Sequence, residues 1–416
     1  MQIAFVASYD SEFKWASIVA SEFKRKNWDI SFYTPGNLTN VSEKQLQDSG
    51  LTPACVTCVP REELIEALWH FKAVVIILPG PQTEALLYEA RTFYAQHEVL
   101  ERPIFVTGFV GINIKNLHDA FLRRASADII CVNSNNDYAM YVDVCKSLSI
   151  GTSCLRLTGF PFVSQTENNP QRSDLKRVVF ADQVAIPKAT IERRIIYKRL
   201  CDLALARPDM EVVIKPRHRP GERTSHASGE LPEVFFKKYP APFNLKFDYT
   251  ALHEQFTQTD LLLTVSSTAA FEALAQGIKV AFVGDLGISE AYGNHIFFDS
   301  GLIRTFDQII QGDLGIPDPS WIQRHTCFGN TLKRIYEEIS SEVSMKTSVG
   351  YAFPDSPYFD TRKLYYQYSK QLKLQKETVG LSRVGNVLNT FIKQVRTLFQ
   401  YILQLHVYLR NTCYVK

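Results

Sequence analysis

Val212-Val213-Ile214-Lys215-Pro216-Arg217-His218-Arg219-Pro220 ends a β-branched apolar run in a dense patch of cationic and imidazole groups. A short run that is apolar on both faces reads as a strand covered by helices on both sides, which implies a parallel sheet. Such a strand delivers its following loop to the carboxyl edge of the sheet, where open doubly wound folds bind their ligands. The charge of this loop suits an anion. A second run, Leu261-Leu262-Leu263-Thr264-Val265, leads into Ser266-Ser267-Thr268 and a helix expected from Ala269, with Glu272 near its start and Gly277 near its end. Small hydroxyl residues at a helix start offer side-chain donors beside free backbone N–H groups, a seat for phosphate. Two anion sites on neighbouring strand ends point to a nucleotide mono- or diphosphate.

The same alternation of strand and helix extends in both directions. Arg177–Ala181 and Val280–Gly284 read as further strands of this half, and Thr190–Arg207 as a helix. Upstream, Ile3–Ala7, Asp29–Tyr33, Ala73–Leu78, Ile104–Thr107, Asp128–Val132 and Leu155–Pro161 read as strands of a second sheet. Glu12–Lys26 is expected to be helical, with Phe13, Ala16, Ala20 and Phe23 on one face, as is Glu62–Phe71. Polar residues 164–174 make a linker. The expected organisation is a Rossmann-like half over 1–165, a second over 175–350, and a tail over 351–416. A lone dinucleotide-binding oxidoreductase is disfavoured, because no Gly-x-Gly-x-x-Gly follows the first strand or Val178–Ala181.

Composition agrees with an ordinary two-domain α/β chain: 416 residues, 45% hydrophobic, 21% charged, net charge +3. Single cores stop growing at roughly 250–300 residues, so a chain of this length divides. The N-terminus reads directly as a buried strand with no leader, and eight scattered cysteines suit reduced thiols, so a cytoplasmic protein is expected. Cys55-x-x-Cys58 has no second Cys/His pair at zinc-site spacing and reads as ordinary thiols. No cofactor and no nucleic-acid partner is expected.

The order of parts resembles the GT-B glycosyltransferases: a Rossmann-like half, then a second half with a basic strand end, a Ser-Ser-Thr turn and a Glu-bearing helix. Thr264–Val280 looks like the donor-binding segment of that superfamily, in which hydroxyls and amides hold phosphate and the helix Glu contacts the ribose or sugar. Lys215-Pro216-Arg217-His218 is similar to the lysine–proline–histidine element of bacterial sialyl- and Kdo-type transferases, whose histidine meets the leaving phosphate. Here Arg217 stands between proline and histidine, and Arg219 follows. Tyr9–Ala16, with Gly293-Asn294 and Asp299-Ser300-Gly301-Leu302, resembles an uncharacterised bacterial family of glycosyltransferases. The resemblance covers residues 1 to about 340. It implies a nucleotide-sugar donor, with a CMP-linked acidic sugar favoured, and a cell-surface glycan or lipid-linked acceptor.

Glycosyl transfer requires a base for the acceptor hydroxyl and neutralisation of the departing phosphate. Asp10 and Glu12, just past the first strand, are the candidate catalytic carboxylates. Asp10 is the preferred base; the competing reading is a helix N-cap, and for Glu12 a first-turn carboxylate that favours the helix dipole. Lys215, Arg217, His218 and Arg219 are the candidates for the leaving phosphate, with His218 in a catalytic role. Ser266, Ser267, Thr268 and Glu272 complete the donor side, where Glu272 is either a ribose contact or a helix-surface acid. No Asp-x-Asp occurs, so fixed cations would replace a metal. Pro79–Thr83 and Thr107–Gly111 are expected as loops on the acceptor side. His226, His253 and His295 read as structural or exposed. Alternatives are a nucleotide-sugar 2-epimerase, a polyol-phosphate transferase, or a non-catalytic sugar-nucleotide binder.

From residue 361 onward the chain holds ten Lys/Arg against one acidic residue, Glu377. Val384, Val387, Leu388, Phe391, Ile392, Val395, Leu398, Phe399, Ile402 and Leu403 recur at helical spacing, flanked by Lys393 and Arg396. An amphipathic helix over 379–416 is expected, lying on an anionic membrane face or docking on protein.

Overall fold

The computed structural model describes residues 1–97, 102–112, 117–163, 174–217, 219, 230–349, 368 and 370. The expected tail helix and His218 lie outside the described residues.

The first sheet contains β1 (Gln2–Val6), β2 (Asp29–Pro35), β3 (Val56–Val59), β4 (Ala73–Ile76), β5 (Ile104–Thr107), β6 (Ile129–Val132) and β7 (Leu155–Leu157). Its order is β3-β2-β1-β4-β5-β6-β7, with every pair parallel. The second contains β8 (Arg177–Ala181), β9 (Glu211–Lys215), β10 (Leu245–Phe247), β11 (Leu261–Thr264), β12 (Lys279–Val283) and β13 (Ile303–Arg304), in the order β10-β9-β8-β11-β12-β13, again all parallel. Both orders are doubly wound. The chain builds outward from β1 or β8, then returns to fill the other side, so the switch points fall between β1 and β4 and between β8 and β11.

The central strands form because they are apolar throughout and helices cover both faces. All residues of β4, β5, β6 and β11 are buried. The edge strands β3, β10 and β13 were not expected from sequence; they are two to four residues long and partly exposed, so their apolar signal is weak. The loop expected at Pro79–Thr83 is instead the first turn of the helix Gly80–His97. Pro81 suits a first turn, where its missing N–H costs nothing, and Thr83 ties the turn down by donating Oγ1 to Leu78 O at 2.9 Å.

The boundary expected at residue 350 is corrected by the helix Thr331–Val349. Its Ile335, Ile339 and Val343 pack with Ile3, Phe5, Trp15 and Val19 in the core of the first half. Lys346 of this helix reaches Asp128 at 2.9 Å, and Arg102 grips the same carboxylate at 2.7 and 2.8 Å. Burial would push Asp128 up, but these two cations outweigh it and hold its pKa down to about 2.

The chain therefore crosses between the halves twice, after β7 and again before Thr331. The crossings touch at Gly159, which has φ +88° and sits so close to Cys327 O and Thr331 Oγ1 that a Cβ would overlap both. Arg334 donates Nε to Thr158 O at 3.1 Å and Nη2 to Cys327 O at 3.2 Å, joining the two segments. Among the described residues no helix is long and apolar enough to cross a membrane.

Candidate active site

The first half contributes the turn between β1 and the helix Asp10–Arg25. Tyr9 occupies the N-cap position, so Asp10 is the first helical residue and not the cap. Glu12 turns back, and its Oε2 accepts the backbone N–H of Ser8 at 2.8 Å and of Tyr9 at 3.1 Å. This is the carboxylate arm of a capping box. Glu12 is buried, and burial drives its pKa up to about 7 against those two N–H groups; Asp10 adds to the rise and Arg124 opposes it. Arg124 is itself buried, bonded to Gly108 O, Ala120 O and Leu78 O, and burial lowers its pKa to about 10.

The second half contributes two strand ends. Past β9, Lys215 donates Nζ to Pro216 O at 2.7 Å, and Arg219 stacks over the Tyr249 ring at 4.7 Å. Arg217 reaches out of this half altogether, placing Nη2 2.5 Å from Asp10 Oδ2.

Past β11, the three hydroxyl residues have different partners. Ser266 donates Oγ to Tyr292 O at 2.6 Å and its N–H to Gln183 Oε1 at 2.9 Å. Ser267 Oγ accepts the N–H of Ala269 at 3.2 Å. Thr268 Oγ1 accepts the N–H of Ile112, from the first half, at 3.3 Å. Gly111 makes this approach feasible, since a Cβ there would lie 2.9 Å from that oxygen. The helix that follows, Ala269–Ala275, is only seven residues long, so hydroxyls and loop amides matter more here than a helix dipole. Glu272 is no surface acid: it is buried and meets Lys14 at 3.3 and 3.4 Å.

Among the described residues, the carboxyl edges of the two sheets are joined by Asp10 to Arg217, Lys14 to Glu272, and Ile112 to Thr268. Asp10 and Lys14 are four residues apart and share a helix face, so one face of Asp10–Arg25 meets both candidate phosphate loops. Lys14, Arg124 and Gln183 were missed from sequence. Lys14 carried a readable signal, its spacing from Asp10, and Gln183 another, a polar residue just past a central strand. Arg124 carried none, being one charged residue at a helix end. The Gly293-Asn294 pair proves structural: Asn294 is buried and bonds Ser289 N and Gly287 O at 2.9 Å each. His253 is half exposed beside Glu254, and His295 keeps a buried Nδ1 without a hydrogen bond. Cys55 and Cys58 are free and exposed.

Among curated proteins nothing matches the chain. Solved structures match in fold. A structure described as "putative UDP-N-acetylglucosamine 2-epimerase from Listeria monocytogenes" superposes with a TM-score of 0.58 at 12% identity, over 83% of this chain and 97% of that one. The UDP-GlcNAc 2-epimerase from Methanocaldococcus jannaschii gives 0.56 at 11% identity, over 82% and 100%. The Neisseria meningitidis UDP-GlcNAc 2-epimerase, bound to UDP-GlcNAc, gives 0.52 at 13%, again over 82% and 100%. At such identities the likeness shows the fold alone, two Rossmann-like halves in the GT-B arrangement. Family membership comes from sequence: residues 3–340 match the model described as "Putative glycosyltransferase (DUF6716)", and the chain belongs to that family.

Proposed function

We propose that the protein transfers a sugar from a nucleotide-activated donor to an acceptor hydroxyl without a metal ion. The observation that carries this reading is the meeting of Asp10 and Arg217 at 2.5 Å, a carboxylate from the first half against a cation from the second. Glycosyl transfer needs a proton acceptor and a phosphate clamp at one place. In this reading the acceptor oxygen attacks the anomeric carbon and the bond from that carbon to the phosphate oxygen breaks. The phosphate leaves with the electron pair, and Asp10 takes the hydroxyl proton, with Glu12 the second carboxylate of the same turn. Arg217, Lys215, Arg219 and His218 neutralise the phosphate, Ser267 and Thr268 donate hydrogen bonds to it, and Glu272 is set to accept from a ribose or sugar hydroxyl. The basic segment 379–416 would hold the enzyme on an anionic cytoplasmic membrane face, near a lipid-linked acceptor.

A thermal-shift screen of CMP, UDP, GDP and their sugars tests the donor. A CMP-linked acidic sugar is the first candidate, on the strength of Lys215–His218. Stabilisation by one nucleotide, and release of that nucleotide only when an acceptor is added, supports the transferase. Nucleotide release without acceptor, together with solvent deuterium appearing at the sugar C2, would identify a 2-epimerase instead.

A further inference from the structure

Gln183 lies just past β8, at the switch point of the second sheet, and belongs to a closed ring of hydrogen bonds. Its backbone carbonyl accepts both Nη1 and Nη2 of buried Arg193 at 2.8 Å. Arg193 is anchored in turn on Asp182 Oδ2 at 2.9 Å, Pro187 O at 3.0 Å and Glu230 O at 2.7 Å. From that fixed backbone the Gln183 side chain extends to β11 and its Oε1 accepts the N–H of Ser266 at 2.9 Å. Ser266 Oγ donates to Tyr292 O, and Tyr292 donates its hydroxyl to Glu192 Oε1 at 2.7 Å. Glu192 precedes Arg193 on the helix Thr190–Ala206, and the ring closes there.

The ring fixes the first residue of the Ser266–Thr268 turn, and the three hydroxyls of that turn are then differently used. Ser266 has given its proton to a carbonyl. Ser267 and Thr268 use their oxygens to accept backbone N–H groups, which leaves both O–H protons to offer a ligand. The residue that fixes the turn is neutral. A carboxylate at the same place would still accept the Ser266 N–H, would give up only the long 3.5 Å donation from Gln183 Nε2 to Ser266 Oγ, and would set a negative charge beside the anion site. We propose that Gln183 is the positioning residue of the nucleotide site: the ring it closes aims the Ser267 and Thr268 hydroxyls at the phosphate, and its neutrality keeps that site open to an anion. The inference rests on the transferase reading for the identity of the ligand.

The test uses Gln183→Ala and Gln183→Glu in the full chain, with amide hydrogen exchange over residues 264–268 and calorimetric titration of the nucleotide found by the screen, against its nucleoside. Gln183→Ala should raise exchange in that segment and weaken nucleotide binding about tenfold, as loss of a fixed hydrogen-bond frame requires. Gln183→Glu should keep the wild-type protection yet weaken the nucleotide about tenfold and leave the nucleoside unchanged, a split that a purely structural glutamine would not produce. If Gln183→Ala does not fold, Tyr292→Phe opens the ring at its surface side and should show the same changes in lesser degree. Wild-type exchange and wild-type nucleotide affinity in Gln183→Ala would overturn the inference alone. Wild-type protein that binds none of the nucleotides would overturn the transferase reading, and the inference with it.

Discussion

Arg217 Nη2 lies 2.5 Å from Asp10 Oδ2, and each residue follows a strand of a different sheet. The Arg217 side chain is half exposed and that of Asp10 about a quarter exposed, so solvent screens the pair and its contribution to stability is small, at about 1 kcal/mol or less. In the proposed transferase its effect would lie in competition: a phosphate that took Arg217 would leave Asp10 free to accept a proton.

The two partners should therefore fail differently. Arg217→Gln removes a charge-assisted contact of about 1.5–3 kcal/mol, so nucleotide affinity in calorimetry should drop about tenfold to a hundredfold with an unchanged melting curve. Asp10→Asn should bind nucleotide at least as well as wild type, because Arg217 loses its resident anion. Its turnover should fall by about a hundredfold or more. Equal affinity in both variants would remove the competition.

Glu12 gives a pH prediction for stability. Its folded pKa of about 7 lies above the ordinary 4.5, so between those values the folded protein keeps a proton that the unfolded chain has released. The associated stability is full below about pH 4.5 and lost as pH rises through 7. Glu12→Gln retains an oxygen for the Ser8 and Tyr9 N–H groups and removes the charge. Urea denaturation should show the variant gaining on wild type by about 2–3 kcal/mol between pH 4.5 and pH 8, with the two near parity at the lower pH.

Gly159→Ala tests the contact between the two crossings. Positive φ and the close carbonyl of Cys327 leave no room for a methyl group, and strain of this kind costs about 1–3 kcal/mol before any steric shift is added. The melting temperature should fall by several degrees or more, and Arg334→Met, which removes the bonds to Thr158 O and Cys327 O, should act in the same direction. A wild-type melting temperature for both would refute the assignment.

The segment 379–416 is tested by truncation after residue 378. Co-sedimentation with anionic vesicles should be seen for the full chain, weaken with added salt because each cation near the surface contributes about 1 kcal/mol and is screened, and vanish on truncation. Activity on a short water-soluble acceptor should persist.

What could be read in sequence follows physical contrast. Runs such as Val212–Ile214 and Leu261–Leu263 are apolar on both faces, and that pattern has few interpretations other than a covered parallel strand. Charged or hydroxyl residues placed directly after them mark a carboxyl edge, so Asp10, Arg217 and the Ser266–Thr268 turn were visible as candidates. Pairing across the halves was not visible, since nothing local in Lys14 or Arg217 encodes a partner more than two hundred residues away. Nor was the return of Ile335, Ile339 and Val343 to the first core, because an amphipathic stripe shows that a face is covered without showing by what. The three hydroxyls looked equivalent for a similar reason: Ser266 Oγ donates to Tyr292 O and Thr268 Oγ1 accepts from Ile112 N–H, partners that come from two other segments, while Ser267 Oγ accepts from nearby Ala269.

The double crossing of the chain has a mechanical consequence. Two connections attached at separate places would lock the halves together, and one alone would let them tumble. Here both pass the same point, fastened by Arg334 where Gly159 lies against Cys327, so the two connections constrain the halves at one place and not at two. A rotation about that point would part Asp10 from Arg217 and Lys14 from Glu272, the contacts that lie at the carboxyl edges of the two sheets.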